Sequence, residues 1–163
     1  MILSEVLNTL TRYSVKQSDP WHFAATFRIS DNSYQYMANS DGDDHNIWTI
    51  ECALLTNTPN PNDPDNRDRD VTTFNHDVTG TGNAFELLSA VAQITLNFIH
   101  LNPNATTIRL CADVNEQSRQ KLFTRLSSRI NIPGWKYQGT ERSDPASGDD
   151  FIYYVFNKQV DND

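Results

Sequence analysis

At 163 residues, with 37% hydrophobic residues, the chain has the length of one globular domain, and we expect residues 1–163 to fold as one. Its formal charge of −8 and pI near 4.8 argue against general nucleic-acid binding, because neutralising phosphates requires clustered Lys and Arg. DNA mimicry is also disfavoured, since the acids gather in loops and at the C-terminus. No window approaches the roughly 20 apolar residues of a membrane span, and the N-terminus lacks a basic secretory start. We therefore expect a cytoplasmic protein.

The first half of the chain predicts one helix followed by strands. Apolar residues at three-and-four spacing indicate an amphipathic helix that ends before Tyr13. Alternation from Trp21 to Met37, broken by turn formers at 30–33, predicts a β-hairpin. The run 47–55 is apolar at nearly every position, as is typical of a central strand. Residues 56–70 contain no apolar side chain, so we expect a flexible Asn/Asp/Pro surface loop there.

The second half predicts a strand–helix–strand unit. Residues 71–78 form a predicted strand that ends at a glycine-rich turn, and a helix that is apolar on two faces follows from Ala84 to Ile99. A strand at 106–112 completes the unit, which implies a right-handed crossover and parallel pairing. A second helix from Glu116 to Ile130 and strands at 135–139 and 151–156 finish an α/β domain. The cysteines, Cys52 and Cys111, lie in apolar runs and are predicted core residues.

The glycine-rich turn, TGTGNA at 79–84, is a candidate anion site. A turn that leads into a helix leaves several N–H groups unpaired, with the positive end of the helix dipole behind them. Glycines at 80 and 82 permit a positive φ and a close approach of a ligand. The donors would be Thr81, Gly82, Asn83 and Ala84. A plain structural connection between strand and helix is the alternative.

In element order the chain resembles the GNAT N-acetyltransferases over essentially its whole length. Gly80 and Gly82 match the two glycines of the family's Gln/Arg-x-x-Gly-x-Gly/Ala turn, while Asp77 stands where the family has Gln or Arg. Asn115 matches the Asn that follows the next strand, and Phe123 falls where the family's Tyr would donate a proton to the leaving thiolate. The stretch from TGTGNAFELLSAV to SRQKLFTRL is similar to divergent GNAT-like proteins encoded by bacteriophages.

This resemblance implies a three-layer domain, with a central mixed sheet and helices on both faces. It implies acetyl-CoA or CoA as the cofactor, held by residues 80–84 and Asn115, and N-acetyltransfer to an amine as the activity. The alternative is a non-enzymatic phage effector of the same fold, which would bind and inhibit a host protein in the host cytoplasm. The departures at Asp77 and Phe123 favour the effector, and the retained glycines favour the enzyme.

Two residues are candidate general bases, because a transferase must take a proton from its amine substrate. Glu51 interrupts the central strand, and His76 lies just before the glycine turn. Alternatively, Glu51 faces solvent at a strand edge and His76 is an ordinary strand residue. The His, Cys and Asp residues show no metal-ligand spacing, and no Gly-x-Ser-x-Gly elbow is present.

A basic stripe is predicted on the second helix, formed by Lys121, Arg125 and Arg129 with Arg119 nearby. Such a stripe is usually a solvated helix face. It could also meet a coenzyme phosphate or an acidic partner surface.

Overall fold

The computed structural model describes residues 13–29, 32–41, 44–59, 69–72, 84–144, 146, 148 and 150–161. They form eight strands and two helices: β1 Tyr13–Asp19, β2 His22–Ile29, β3 Asn32–Asp41, β4 Asp44–Pro59, β5 Arg69–Thr72, α1 Ala84–Leu101, β6 Thr107–Asp113, α2 Gln117–Arg129, β7 Trp135–Arg142 and β8 Phe151–Lys158. Neither of these helices is long and apolar enough to cross a membrane. Five consecutive strands come first, and helices and strands then alternate from α1 to β7.

The strands form one mixed sheet in the order β1-β2-β3-β4-β6-β8-β7, with β5 added to β4. Strands β1 to β4 form an antiparallel meander, and β8 pairs antiparallel with both β6 and β7. Among the described strands, β4 and β6 make the one parallel pair, and α1 connects them. This confirms the predicted α/β fold with a mixed central sheet.

The core lies between one face of the sheet and the two described helices. Phe98 of α1 packs against Trp48 of β4 with ring centroids 4.9 Å apart, and Phe123 of α2 packs against Tyr154 of β8 at 6.0 Å. Ile50 pairs with Leu110, and Leu110 pairs with Tyr154, so these three side chains lie on one face of the sheet. Trp48 is two residues before Ile50 on β4 and therefore lies on the same face. Both helices therefore cover one face. The helix predicted before Tyr13 lies outside the described residues, so helices on both faces stay a prediction.

The structure corrects the prediction around residues 56–70. Strand β4 continues to Pro59, and β5 begins at Arg69, so both ends of the segment predicted as a loop belong to strands. Main-chain hydrogen bonds to a neighbouring strand do not require apolar side chains, which is why composition missed them. The strand predicted at 71–78 is described at 69–72, and its partner is β4 in antiparallel orientation. The strand parallel to β6 is thus β4, and not the strand that precedes the glycine turn.

Candidate functional site

The sheet opens between β4 and β6. The two strands pair in parallel over four residues of β4 that end at Ile50, and no pairing joins them further along in the described chain. Beyond this point β6 continues to Asp113, paired, among the described strands, only with β8. The edge of β4 that faced β6 is next paired at Leu54, where β5 joins it. We call residues 51–53 and 111–113, which flank this opening, the fork. Within the described residues, the edges of β4 and β6 that face the fork therefore have no strand partner for their main-chain groups.

Helix α1 begins beyond the open end of the fork. Phe98, near its C-terminus, packs on Trp48, while Thr95 bonds the hydroxyl of Tyr36 at 2.9 Å, and Tyr36 pairs with Cys52. Earlier helix residues thus meet later strand residues, so α1 runs antiparallel to β4. Ala84 lies eleven residues before Thr95, about 16 Å along the axis. The positive end of the α1 dipole is therefore at the carboxyl ends of the parallel strands, where open α/β sheets bind ligands.

Arg119 lies on the buried side of α2, next to the fork. It shares a stripe with Leu122, Phe123 and Leu126, all almost fully buried, and its own exposed fraction is 8%. Its Nε lies 3.0 Å from Glu116 Oε2 as an ion pair, without the alignment of a hydrogen bond. The prediction that placed Arg119 beside the exposed basic stripe is therefore wrong, because the helical period turns it inward.

The charge of Arg119 acts on two buried cysteines, one on each side of the fork. Burial raises the pKa of Cys52 to about 12, with the Arg119 charge acting in the opposite direction. Burial also raises the pKa of Cys111 to about 12; Glu51 adds to this by charge and by a hydrogen bond, and Arg119 opposes it. Since Cys52 lies on β4 and Cys111 on β6, the guanidinium lies close to both sides of the fork. Both cysteines are core residues, as predicted.

Glu51 lies on the face of β4 opposite to Ile50 and Cys52, and is half-buried. The Cys111 thiol donates a hydrogen bond to its carboxylate across the fork. Glu51 therefore lies inside the fork, and the alternative in which it faces solvent at a strand edge is disfavoured. The other candidate base, His76, lies outside the described residues, so its position relative to Glu51 stays a prediction.

Glu116, the ion-pair partner of Arg119, also interacts electrostatically with two further carboxylates, Asp113 and Glu51. Burial raises the pKa of Glu116, with Asp113 and Glu51 acting in the same direction, while Arg119 lowers it. Asp113 also accepts a hydrogen bond from the main-chain N–H of Asn115 at 2.8 Å. The fork is therefore acidic, and Arg119 and Arg109 both act on its Cys111 as counter-charges.

The remaining predicted binding residues divide between described and undescribed parts of the chain. Gly80, Thr81, Gly82 and Asn83 lie outside the described residues, and so does Asp77. Ala84 is the first residue of α1, which confirms where that helix begins. Asn115 lies in the turn between β6 and α2, and its side chain is exposed. The structure thus brings Asn115 to the edge of the fork, one turn before Arg119.

Phe123 is fully buried and packs edge-on against the Tyr154 ring. The Tyr154 hydroxyl donates to the main-chain carbonyl of Gln120 at 3.2 Å and lies 3.1 Å from the Thr124 hydroxyl. These partners hold that hydroxyl on the β8 side of α2. The Tyr154 hydroxyl is therefore not directed to the fork.

Sequence reasoning missed the role of Arg119 and the Glu51–Cys111 contact. The first had a signal, because Arg119 stands three, four and seven residues before the apolar residues of α2. The second had none, since it depends on the register of β4 against β6, two segments separated by more than fifty residues.

No protein-family model and no curated protein matches the chain. Several solved structures are similar to the chain. Aminoglycoside acetyltransferase AAC(6')-Ib, solved with acetyl-CoA, is 11% identical over 85% of this chain and 66% of its own, with a TM-score of 0.48, so the chain spans slightly less than two thirds of it. A chimera of spermidine N-acetyltransferase from Vibrio cholerae and hSSAT is 11% identical over 87% and 70%, with a TM-score of 0.44. A Bacillus subtilis acetyltransferase in complex with CoA is 9% identical over 93% and 100%, with a TM-score of 0.42.

Proposed function

We propose that the chain binds acetyl-CoA or CoA, with the pantetheine arm in the fork and the pyrophosphate at the N-terminus of α1. One observation carries this proposal: β4 and β6 separate after Ile50, at the end of the sheet where α1 begins. The TGTGNA turn leads directly into Ala84, so its N–H donors would extend those of the first helical turn.

The residues present fit such a ligand in two respects. The edges of 51–53 and 111–113 that face the fork have no strand partner among the described residues, so they would supply main-chain donors and acceptors for the amides of an extended arm. The side chains next to these edges are largely apolar, because Cys52, Cys111 and Ala112 are buried there. When bound, the coenzyme would supply an acyl group as a thioester, which is reactive toward amines.

We further propose that Glu51 accepts the proton of the amine acceptor, directly or through water. Its carboxylate lies at the fork beside Cys111, and the neighbouring Asp113 and Glu116 would favour a cationic acceptor. Arg119 holds this arrangement together, because it balances part of the negative charge.

Coenzyme binding is tested by calorimetric titration of the native protein with acetyl-CoA. The bulk of Trp in Gly82→Trp should abolish binding. Thr140→Trp is the matched control, since Thr140 is exposed on β7 and far along the sheet from β4. Absence of heat and of thermal stabilisation in the native protein would exclude coenzyme binding, and equal binding by both variants would exclude this site.

Acyl transfer is tested separately, by mass spectrometry of a panel of amines incubated with acetyl-CoA. Glu51→Gln should lower the rate, while Glu141→Gln, at an exposed position on β7, should not. Binding without transfer to any amine would support a second proposal, in which the chain acts by binding a host protein. What favours that proposal is Phe123, which offers no hydroxyl to a leaving thiolate.

A further inference from the structure

We propose that the outer face of α2 docks an acidic segment of a partner protein. This face carries Lys121, Arg125 and Arg129, all exposed, and α2 contains no Asp or Glu. The inference is independent of coenzyme binding, and it would give the binding-protein proposal a surface.

What distinguishes this face is three cations on one helix without a described ion pair, whereas other described cations without an ion pair, such as Arg28 and Lys136, lie on separate strands. Three other described arginines form ion pairs with carboxylates: Arg109 with Asp41, Arg119 with Glu116, and Arg142 with Asp150. Lys121, Arg125 and Arg129 form no ion pair with any residue that the structure describes, although the chain has 21 acidic residues against 13 basic ones. Their charges are therefore available to a ligand.

A groove of about 470 Å³ runs along this face. It is lined by Gln117, Gln120, Lys121, Thr124, Arg125 and Tyr154. Its floor is held in place from within: the Gln120 amide donates to the carbonyls of Asp113 and Val114 at 3.0 and 2.6 Å, and the Tyr154 hydroxyl donates to the carbonyl of Gln120. A floor fixed in this way is preorganised, so binding would order mainly the two cations.

The groove lies on the far side of α2 from the fork. Its floor residue Tyr154 belongs to β8, whereas Arg119 points to the fork from the buried stripe of the same helix. The two candidate sites therefore use opposite sides of α2, and a ligand in one leaves the other accessible.

The spacing of the cations favours an extended acidic peptide over a compact phosphate or a nucleic acid. Lys121 and Arg129 are eight residues apart, about 12 Å along the helix axis, which an extended segment of about four residues spans. A single phosphate would contact only one or two of the three. Nucleic-acid binding would need more cations than these, given the net charge of −8. Repulsion from the other acids is screened beyond about 8 Å at physiological salt, so the local cations decide.

The test follows amide chemical shifts of the full-length chain on titration with an oligoglutamate peptide of about six residues. Two triple variants with the same change in net charge are compared. One is Lys121→Glu/Arg125→Glu/Arg129→Glu; the control is Arg28→Glu/Lys136→Glu/Lys158→Glu, at three exposed positions on other strands. Circular dichroism checks that both fold.

We expect shifts along α2, at least about a tenfold loss of affinity in the α2 variant, little loss in the control, and weakening by salt. Absence of shifts in the native protein, or an equal loss in both variants, would overturn the proposal. So would pyrophosphate or a single-stranded oligonucleotide that shifts the same residues at equal or lower concentration. A parallel titration with acetyl-CoA should be unchanged in the α2 variant, which keeps failure here distinct from failure of coenzyme binding.

Discussion

Replacing Arg119 by Met tests the electrostatics of the fork. The change removes the one charge that balances Glu116, and the two side chains are 9% and 18% exposed. Removing one partner of a buried ion pair costs about 3–5 kcal/mol. Because Glu116 retains some contact with water, we expect the lower end, a loss of about 3 kcal/mol in the free energy of unfolding. For a domain of this size that corresponds to a fall in melting temperature of about 6–12 °C.

The loss should depend on pH. Burial and the neighbouring carboxylates already raise the pKa of Glu116, and removing Arg119 raises it further. A carboxyl whose folded pKa exceeds its unfolded value takes up a proton on folding, so its stabilising effect is lost as the pH rises above the unfolded value near 4.3. The deficit of Arg119→Met relative to the native protein should therefore be larger at pH 7 than at about pH 5.

Urea denaturation at the two pH values measures both effects. Glu116→Gln and the double variant complete the cycle, and the double variant should be less destabilised than Arg119→Met, since no uncompensated charge remains at Glu116. Arg142→Met, in an exposed ion pair with Asp150, is the control and should show no measurable change. A loss below about 1 kcal/mol for Arg119→Met, or one that does not vary with pH, would refute the charge balance inferred for the fork.

Further predictions concern the core around the fork. Because burial raises the pKa of Cys52 and Cys111 to about 12, iodoacetamide should label them slowly at about pH 8 in the native protein and rapidly in urea; rapid native labelling, read by mass spectrometry, would contradict their burial. Tyr36→Phe should lower the free energy of unfolding by about 1 kcal/mol, since its hydroxyl bonds Thr95 in the core. The double variant with Thr95→Val should cost less than the two single variants together, as measured by urea denaturation, and simple additivity would argue against the bond.

Local patterns predicted most of the secondary structure. Both described helices begin within one residue of their predicted starts, because apolar residues at three-and-four spacing are a property of the segment itself. Strands β6 and β8 were found from their apolar runs for the same reason. Strand β1 was missed: its sequence YSVKQSD has few apolar residues, and it exists as an edge strand through main-chain pairing with β2.

The fork was harder to predict than the elements that build it. Its position depends on which strand lies parallel to β6, and the strand nearest in sequence before α1 was the natural candidate. The structure selects β4, because β5 folds back on it as an antiparallel strand. No local pattern encodes that choice. The function of the glycine turn stays a prediction, because it depends on a ligand and because residues 79–83 lie outside the described chain.

Helix α2 takes part in both proposals, because its inner side adjoins the acidic fork and its outer side is basic. On the inner side Arg119 forms an ion pair with Glu116, which has Asp113 and Glu51 near it, and on the outer side three cations have no described carboxylate partner. A cationic amine at the fork and an acidic segment on the outer face would each meet complementary charge. Because Gln120 ties the N-terminal turn of α2 to the β6 end of the fork, a ligand on either side acts on the same anchored helix end. Gln120→Ala removes these two hydrogen bonds, so comparing the affinity of each ligand with and without the other in this variant tests whether the turn couples the two sites.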